Sequence, residues 1–301
     1  MSELSEKVKA SIERIRAFEP RDGSGYYLAF SGGKDSVVCK ALLEMAGSKY
    51  HAVYRVTSVD PPELVQFIKQ KHPDVEREIP RYVNGTPITM WNLIPKQRFP
   101  PTRLARFCCR HLKEKGGDGQ MVVTGVRWAE GINRKRNQGA VTVMGRNAHK
   151  ELGDDPNFTS TVRGGVVLTN DNEESRRMIE QCYKRHKTTL NPIIDWEDRD
   201  VWDFIHAERI PYCGLYDEWR NRLGCIGCPM GNQHQRERDF ARYPKYLTAY
   251  LNAFAKMLKV REEVGKPWKA SDPTPTGVFK WWMEYDGDQY DLFEDYEIEE
   301  D

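Results

Sequence analysis

No run in this chain approaches the ~20 consecutive apolar residues that a membrane-spanning helix requires, and mean hydropathy is low, at −0.73. That excludes an integral helical membrane protein. The N-terminal stretch MSELSEKVKASIERIR is charged and carries no apolar leader core, so the expectation is a cytoplasmic chain with no secretory signal and no membrane partner. Internal repeats and low-complexity linkers are missing as well. Aromatic residues are not scarce: eight Trp, 14 Tyr and 11 Phe exclude wholesale disorder. At 301 residues the chain is long enough for roughly two domains with a sizeable core.

Net charge is nearly absent too, at +1, but its distribution is uneven. From Glu284 to Asp301 there are ten acidic residues and no basic one, so residues 1–283 carry +11. A basic body suits a protein that handles phosphates or nucleic acid. The acidic tail, 284–301, reads as a solvated, partly frayed end or, alternatively, as a segment that screens this surface.

Disulfides are not the expected use of the seven cysteines in a cytosolic setting. Cys39 lies in an apolar helical run and reads as core. Cys182 sits in a polar helical stretch. Cys213 precedes Gly214 and reads as a buried thiol before a turn, or as a spare nucleophile. The other four form an adjacent pair, Cys108-Cys109, and a C-x-x-C, Cys225–Cys228. With 115 residues between Cys109 and Cys225, only the fold can bring the pairs together.

The periodicity predicts an α/β fold: a parallel sheet flanked by helices. Residues 4–18 read as a helix and Tyr26–Phe30 as a buried strand. A Gly-rich turn leads from it into a helix carrying Val37, Val38, Ala41, Leu42 and Met45 on one face, with Gly47 as its stop. His51–Val59 reads as a second strand, Glu63–Lys71 as a helix, and Gln120–Thr124 as a third strand. Residues 135–190 break the rhythm and read as an insertion, with short β-like pieces at Ala140–Met144 and Gly165–Leu168. Asp195–Ile205 and residues 236–264 read as helical. The expected organisation is a nucleotide-binding domain over 1–232, a helical region over 233–283, and the tail.

Ser31-Gly32-Gly33-Lys34-Asp35-Ser36 falls where a strand meets a helix. Backbone N–H groups of such a turn converge on an anion, helped by the helix dipole. Gly32 and Gly33 allow positive φ and close phosphate approach. The loop is not a Walker A sequence, because Asp35 follows Lys34. S-G-G-x-D-S resembles the PP-loop of ATP pyrophosphatases, which divide ATP between its α and β phosphates or bind an adenylyl sulfate.

Further segments resemble the phosphoadenosine phosphosulfate (PAPS) reductase family over about residues 26–230. They are Thr57–Glu63; Pro101–Arg103 with Arg106-Phe107-Cys108-Cys109 and Lys113; Gly125-Val126-Arg127 with Glu130 and Arg134; Asn191–Trp196 with Asp200–Trp202; and Leu215-Tyr216 with Gly224–Cys228. Gly131 stands where the family has Ser. The resemblance implies an adenine nucleotide α-hydrolase-like fold. It also implies a nucleotide site built from Ser31, Gly32, Gly33, Lys34, Asp35, Ser36, Thr57, Ser58, Arg103, Arg106, Gly125, Arg127 and Arg134. Lys34, Asp35, Lys113 and Arg127 are the implied catalytic residues. The six Lys/Arg between Arg98 and Lys115 suit a polyphosphate or sulfate.

Cys108, Cys109, Cys225 and Cys228 are candidate metal ligands. Four thiolates suit a 4Fe–4S cluster or a structural zinc; free thiols are the third alternative. The Cys-Cys pair with a C-x-x-C resembles the cluster-binding adenylyl sulfate (APS) reductases, and Lys113 would then tune the cluster. These reductases attack sulfur with a Cys near the C-terminus, and no Cys follows Cys228 here. The expectation is therefore Mg-ATP-dependent adenylation, forming AMP and pyrophosphate, coupled to sulfur transfer. Sulfur would come by way of the cluster or from a cysteine desulfurase, and a nucleic acid is a candidate acceptor. An APS/PAPS reductase with a non-standard thiol is one alternative. A nucleotide- and redox-sensing binding protein is another.

Overall fold

The structure is a computed structural model that describes residues 3–218, 220–269 and 272–284. The acidic stretch beyond Glu284 lies outside them. Contacts divide the chain into two compact units. The first comprises residues 1–55, 63–78 and 116–223; the second comprises 56–62, 79–115 and 224–301.

In chain order, the first elements are α1 (Glu3–Ala17), β1 (Tyr26–Ala29), α2 (Lys34–Ala46), β2 (Tyr50–Arg55), α3 (Pro62–Lys71) and β3 (Glu76–Glu78). Then come α4 (Met90–Gln97), α5 (Phe107–Cys109) continuing as a π-helical turn (Arg110–Glu114), β4 (Met121–Val123) and α6 (Ile132–Asn137). The middle of the chain gives β5 (Val141–Val143), α7 (Arg146–Leu152), β6 (Phe158–Ser160), β7 (Val166–Leu168), α8 (Glu173–Cys182) and β8 (Thr188–Leu190). The last are α9 (Asp198–Ala207), α10 (Gln233–Arg242), α11 (Pro244–Glu263) and α12 (Pro275–Met283).

The first unit holds one sheet of order β3-β2-β1-β4-β8-β5-β7-β6. The five strands from β3 to β8 are parallel, and β5, β7 and β6 add antiparallel pairs. This is the α/β fold that the alternation predicts. Tyr26, Tyr27 and Leu28 of β1 are all buried, as expected of a central parallel strand covered on both faces. Gly47 ends α2 in the left-handed region, at φ 70°. Residues 135–190 supply the antiparallel strands. β3, β6, α4 and α8 carry too short or too weak an apolar pattern to be read from sequence.

Three predicted boundaries move. β2 ends at Arg55 rather than Val59, because Thr57 Oγ1 accepts the Val59 N–H and Ser58 Oγ accepts the Met90 N–H, replacing ladder bonds. α9 starts at Asp198 rather than Asp195. The chain first turns through Ile194 N–H to Asn191 O and Trp196 N–H to Ile193 O, and Asp200 then accepts the Glu197 N–H as a cap. Residues 236–264 form two helices, since Pro244 has no N–H to continue α10.

The second unit has its own aromatic-rich core, including Phe107, Phe240, Tyr250, Phe254, Trp268, Trp281 and Trp282. Trp282 packs 4.8 Å from Tyr250, ring centre to ring centre, and its indole N–H donates to Pro101 O at 2.6 Å. No helix among the described residues is long and apolar enough to cross a membrane.

In the first unit, Arg14 on α1 donates two hydrogen bonds to the two oxygens of Asp195, at 2.8 and 2.7 Å. Burial works against the Asp195 carboxylate, but the Arg14 bonds prevail and hold its pKa below the usual range. A depressed carboxyl pKa stabilises the fold above the unfolded value near ~3.9 and loses that contribution as pH falls. Asp195→Asn is expected to cost about 1 kcal/mol at pH 7, with the difference from the parent vanishing toward acid. Urea titrations at neutral and acid pH check this; a pH-independent difference contradicts it.

Candidate functional site

In an open parallel sheet, ligands bind where the strand order reverses, beyond the C-terminal strand ends. Here β1 lies between β2 and β4, with Leu28 paired to Ala52 on one side and to Val123 on the other. The turns after β1 and β4 therefore emerge side by side. They are Ser31–Ser36 and Gly125–Arg127. A Cβ on Gly125 would lie 2.8 Å from Asp35 Cβ, so only glycine lets the turns approach this closely.

The Gly-rich turn is braced from within. Ser36 Oγ donates to Gly33 O at 2.9 Å, and Gly33 N–H donates to Ser31 Oγ at 3.3 Å. The Lys34 N–H, at the head of α2, donates to the Tyr216 hydroxyl at 2.9 Å. Gly32 adopts φ +72°, and a Cβ there would lie 2.8 Å from the side chains of Leu64 and Ile68. Gly33 does not use positive φ: it is extended at φ −77°. Its missing side chain instead leaves room for Ser31 Oγ and the Tyr216 hydroxyl, each 3.4 Å from the Cβ position.

Four charged groups meet beside this turn. Arg127 is 2% exposed. Its Nε donates to Asp35 Oδ1 at 2.7 Å, its Nη2 to Asp198 Oδ1 at 2.6 Å, and its Nη1 to Trp196 O at 3.2 Å. Lys34 Nζ lies 3.3 Å from Asp35 Oδ2 and 3.2 Å from Asp198 Oδ1. Burial opposes charge on Arg127 and on Asp198. The pairing outweighs it, raising the Arg127 pKa and lowering that of Asp198. Lys34, Asp35 and Arg127, all anticipated from sequence, are thus brought together. Asp198 was not anticipated; its only sequence signal is an acidic first turn on α9.

The second unit gathers the four candidate ligand cysteines. The Cys108 thiol is raised well above its usual range by its hydrogen bond to Cys109, by burial, and by the charges of Cys109, Cys225 and Cys228. Cys109 is pulled down to about 5 by the Cys108 hydrogen bond and, against burial, by Arg106. Burial pushes Cys225 up to about 12. Lys113 is exposed to solvent yet pays a desolvation cost. Its ammonium is stabilised first by Cys225, then by Asp60, Cys109 and Cys228. Cys225 Sγ also lies 3.9 Å from Thr57 Oγ1 and 3.7 Å from Asp60 Oδ1. Asp60 was not singled out from sequence.

The C-x-x-C turn is held from several sides. Ile226 N–H donates to Val59 O at 2.7 Å, and Gly227 N–H to Asp239 Oδ2 at 3.2 Å. The Tyr250 hydroxyl donates to Ile226 O at 3.1 Å. Gly227 has φ +70°, with Phe240 occupying the space of a Cβ. Soft thiols in this number suit an iron–sulfur cluster. No group of three or more His, Cys, Asp or Glu among the described residues is arranged to hold a single metal ion.

The other anticipated nucleotide contacts have protein partners here. Thr57 and Ser58 lie in the second unit, with Ser58 bonded to the head of α4. Arg103 Nε donates to Pro229 O at 3.0 Å, bracing the segment after the C-x-x-C. Arg106 faces Cys109 and lies 3.9 Å from Glu114. Arg134 pairs with Glu130 at 3.7 Å. Cys39 and Cys213 are buried, at 0% and 1% exposure.

Gly32→Ala combines a left-handed backbone with a clash against Leu64 and Ile68. The expected loss is about 2–4 kcal/mol, read from urea unfolding of the purified variant. A loss below half a kcal/mol would mean that the turn relaxes freely.

Comparison with known proteins adds the lineage. An uncharacterized protein of Methanocaldococcus jannaschii is 22% identical over 268 residues, 84% of this chain and 45% of the relative. An adenosine 5'-phosphosulfate reductase of Neisseria meningitidis is 45% identical over 38 residues, 13% of this chain and 16% of that enzyme. A phosphoadenosine 5'-phosphosulfate reductase of Xylella fastidiosa is 29% identical over 97 residues, 32% of this chain and 38% of that protein. The chain spans about half the length of the Methanocaldococcus relatives it matches. The phosphoadenosine phosphosulfate reductase domain matches residues 25–231, which include the Gly-rich turn, the charged network and all four clustered cysteines, and the chain belongs to that family.

Proposed function

We propose that this chain is an adenine-nucleotide-dependent enzyme that activates an acceptor by adenylation and serves sulfur transfer. The observation that carries the nucleotide reading is the Gly-rich turn at the strand reversal, with Lys34 and Arg127 beside it. The positive end of the α2 dipole and the two cations suit a triphosphate. An acceptor oxygen attacks the α-phosphorus, and the bond to the β-phosphate bridging oxygen breaks. Pyrophosphate leaves with the electron pair, and the acceptor proton passes to solvent. Lys34 and Arg127 offset the charge that develops on the leaving group. Mg2+ accompanies the nucleotide in this reading, and a sulfur nucleophile then displaces AMP.

Cys108, Cys109, Cys225 and Cys228 would hold a 4Fe–4S cluster in the second unit. The fit rests on the donor set: four thiols close enough to influence one another, faced by the Lys113 ammonium and the Arg106 guanidinium. When bound, such a cluster supplies a redox centre and a fixed charge. The protein's part is to keep these thiols together and to balance their charge. The sulfur donor in this reading is a cysteine desulfurase, and the acceptor is a nucleic acid. Relatives named as APS and PAPS reductases support a second reading, reduction of an adenylyl sulfate.

Anaerobically purified protein is expected to contain about four irons and to absorb broadly near ~400 nm, with both lost in Cys225→Ala. It should release pyrophosphate from ATP in the presence of acceptor. Sulfite release from APS or PAPS in place of pyrophosphate would select the reductase. One zinc and no iron would remove the cluster from the proposal.

A further inference from the structure

We infer that Asp198 holds the place of a nucleotide phosphate at the Gly-rich turn and competes with that phosphate for Lys34 and Arg127. The inference rests on the nucleotide reading above and assigns Asp198 as the residue that sets how strongly phosphate is retained.

The two cations are enclosed: the Lys34 side chain is 7% exposed and that of Arg127 is 2% exposed. Cations in such a setting need anionic partners. Their two carboxylates differ in kind. Asp35 is 22% exposed and belongs to the first turn of α2, wedged against Gly125. Asp198 is 73% exposed, yet its single Oδ1 accepts from Arg127 Nη2 at 2.6 Å and lies 3.2 Å from Lys34 Nζ. One oxygen therefore bridges both cations from the solvent side. An anion arriving from solvent meets them where that oxygen sits. Asp198 is the first residue of α9, so its short side chain can swing into water without unwinding the helix.

The charges agree with exchange. With Asp198 in place the four groups sum to zero; with Asp198 turned away, the site carries one unpaired positive charge beside the turn's amides. A phosphate oxygen restores the balance with the same acceptor chemistry as a carboxylate. Asp35 remains as the fixed partner of Arg127. An uncharged ligand such as adenosine gains nothing from the exchange.

The test is calorimetric titration of the full chain, parent against Asp198→Asn, with ATP, AMP, adenosine and inorganic pyrophosphate as probes. ATP and pyrophosphate are expected to bind the variant about tenfold more tightly, a difference of ~1.4 kcal/mol, with adenosine unchanged. Asp198→Glu, which keeps the charge, should stay near the parent. Without ligand the variant should melt lower than the parent, and the rise in Tm on adding ATP should be larger. If Asp198→Asn does not fold, Asp198→Ser serves in its place. Unchanged or weaker ATP and pyrophosphate binding in the folded variant overturns the inference. If the parent binds no adenine nucleotide, the proposed function falls, and the pyrophosphate comparison still decides the role of Asp198.

Discussion

Two cations cannot be enclosed in a protein wall without anions brought in to meet them, and this requirement organises the first unit. Lys34 and Arg127 come from turns after different strands, so the register of β1 on β4 must be held for them to share partners. Asp35 must then approach the β4 turn closely, which is why residue 125 has no side chain. The carbonyl of Trp196 must also face Arg127, which ties the chain before α9 to the same point. The close approach of the two turns at Gly125 and the placing of the Trp196 carbonyl thus both serve one neutral cluster of four charges. Pairing in a desolvated setting is strong only when every hydrogen-bonding position is used. Arg127 accordingly spends all three of its nitrogens on protein acceptors.

The second unit meets the same physics with the opposite sign. Four neighbouring thiols repel one another once ionised, and the chain opposes this with Lys113 and Arg106. The adjacent cysteines are shifted in opposite directions: their mutual hydrogen bond raises the Cys108 pKa and lowers that of Cys109. The C-x-x-C turn is fixed by Asp239 and Tyr250, which lie on α10 and α11, beyond the part of the chain that matches the family. The family segment therefore supplies the thiols, and the C-terminal helices supply the support that sets two of them.

Much of this was legible in the sequence because it is carried by local pattern. Tyr26–Phe30, the Gly-rich turn and the face of Val37, Val38 and Leu42 announce a strand, a turn and a helix in seventeen residues. The clustered cysteines were legible only through family likeness, since no spacing rule joins Cys109 to Cys225. Asp198 was not legible. An acid in the first turn of a helix ordinarily answers the helix dipole, and nothing local marks it as a partner of a residue 71 positions earlier. Arg103 and Arg134 fall on family motifs, which give the residue type but not its partner: in this chain Arg103 bonds Pro229 O and Arg134 pairs with Glu130. Boundaries failed where side chains took over backbone bonds, as Thr57 and Ser58 do after β2.

The two units are interleaved along the chain, and this sets an order of assembly during synthesis. Every strand of the sheet has left the ribosome once Leu190 has emerged, and the first unit is complete at Leu223. The second unit then still lacks α10, α11 and α12. Its early segment, with Cys108 and Cys109, must wait for more than a hundred further residues before Cys225 and Cys228 arrive. Domains form as their sequences become available, so the nascent chain passes through a stage with a finished sheet and an unprotected vicinal thiol pair. Protection of that pair from oxidation is therefore a problem of timing, since the helices that complete its surroundings are the last to arrive.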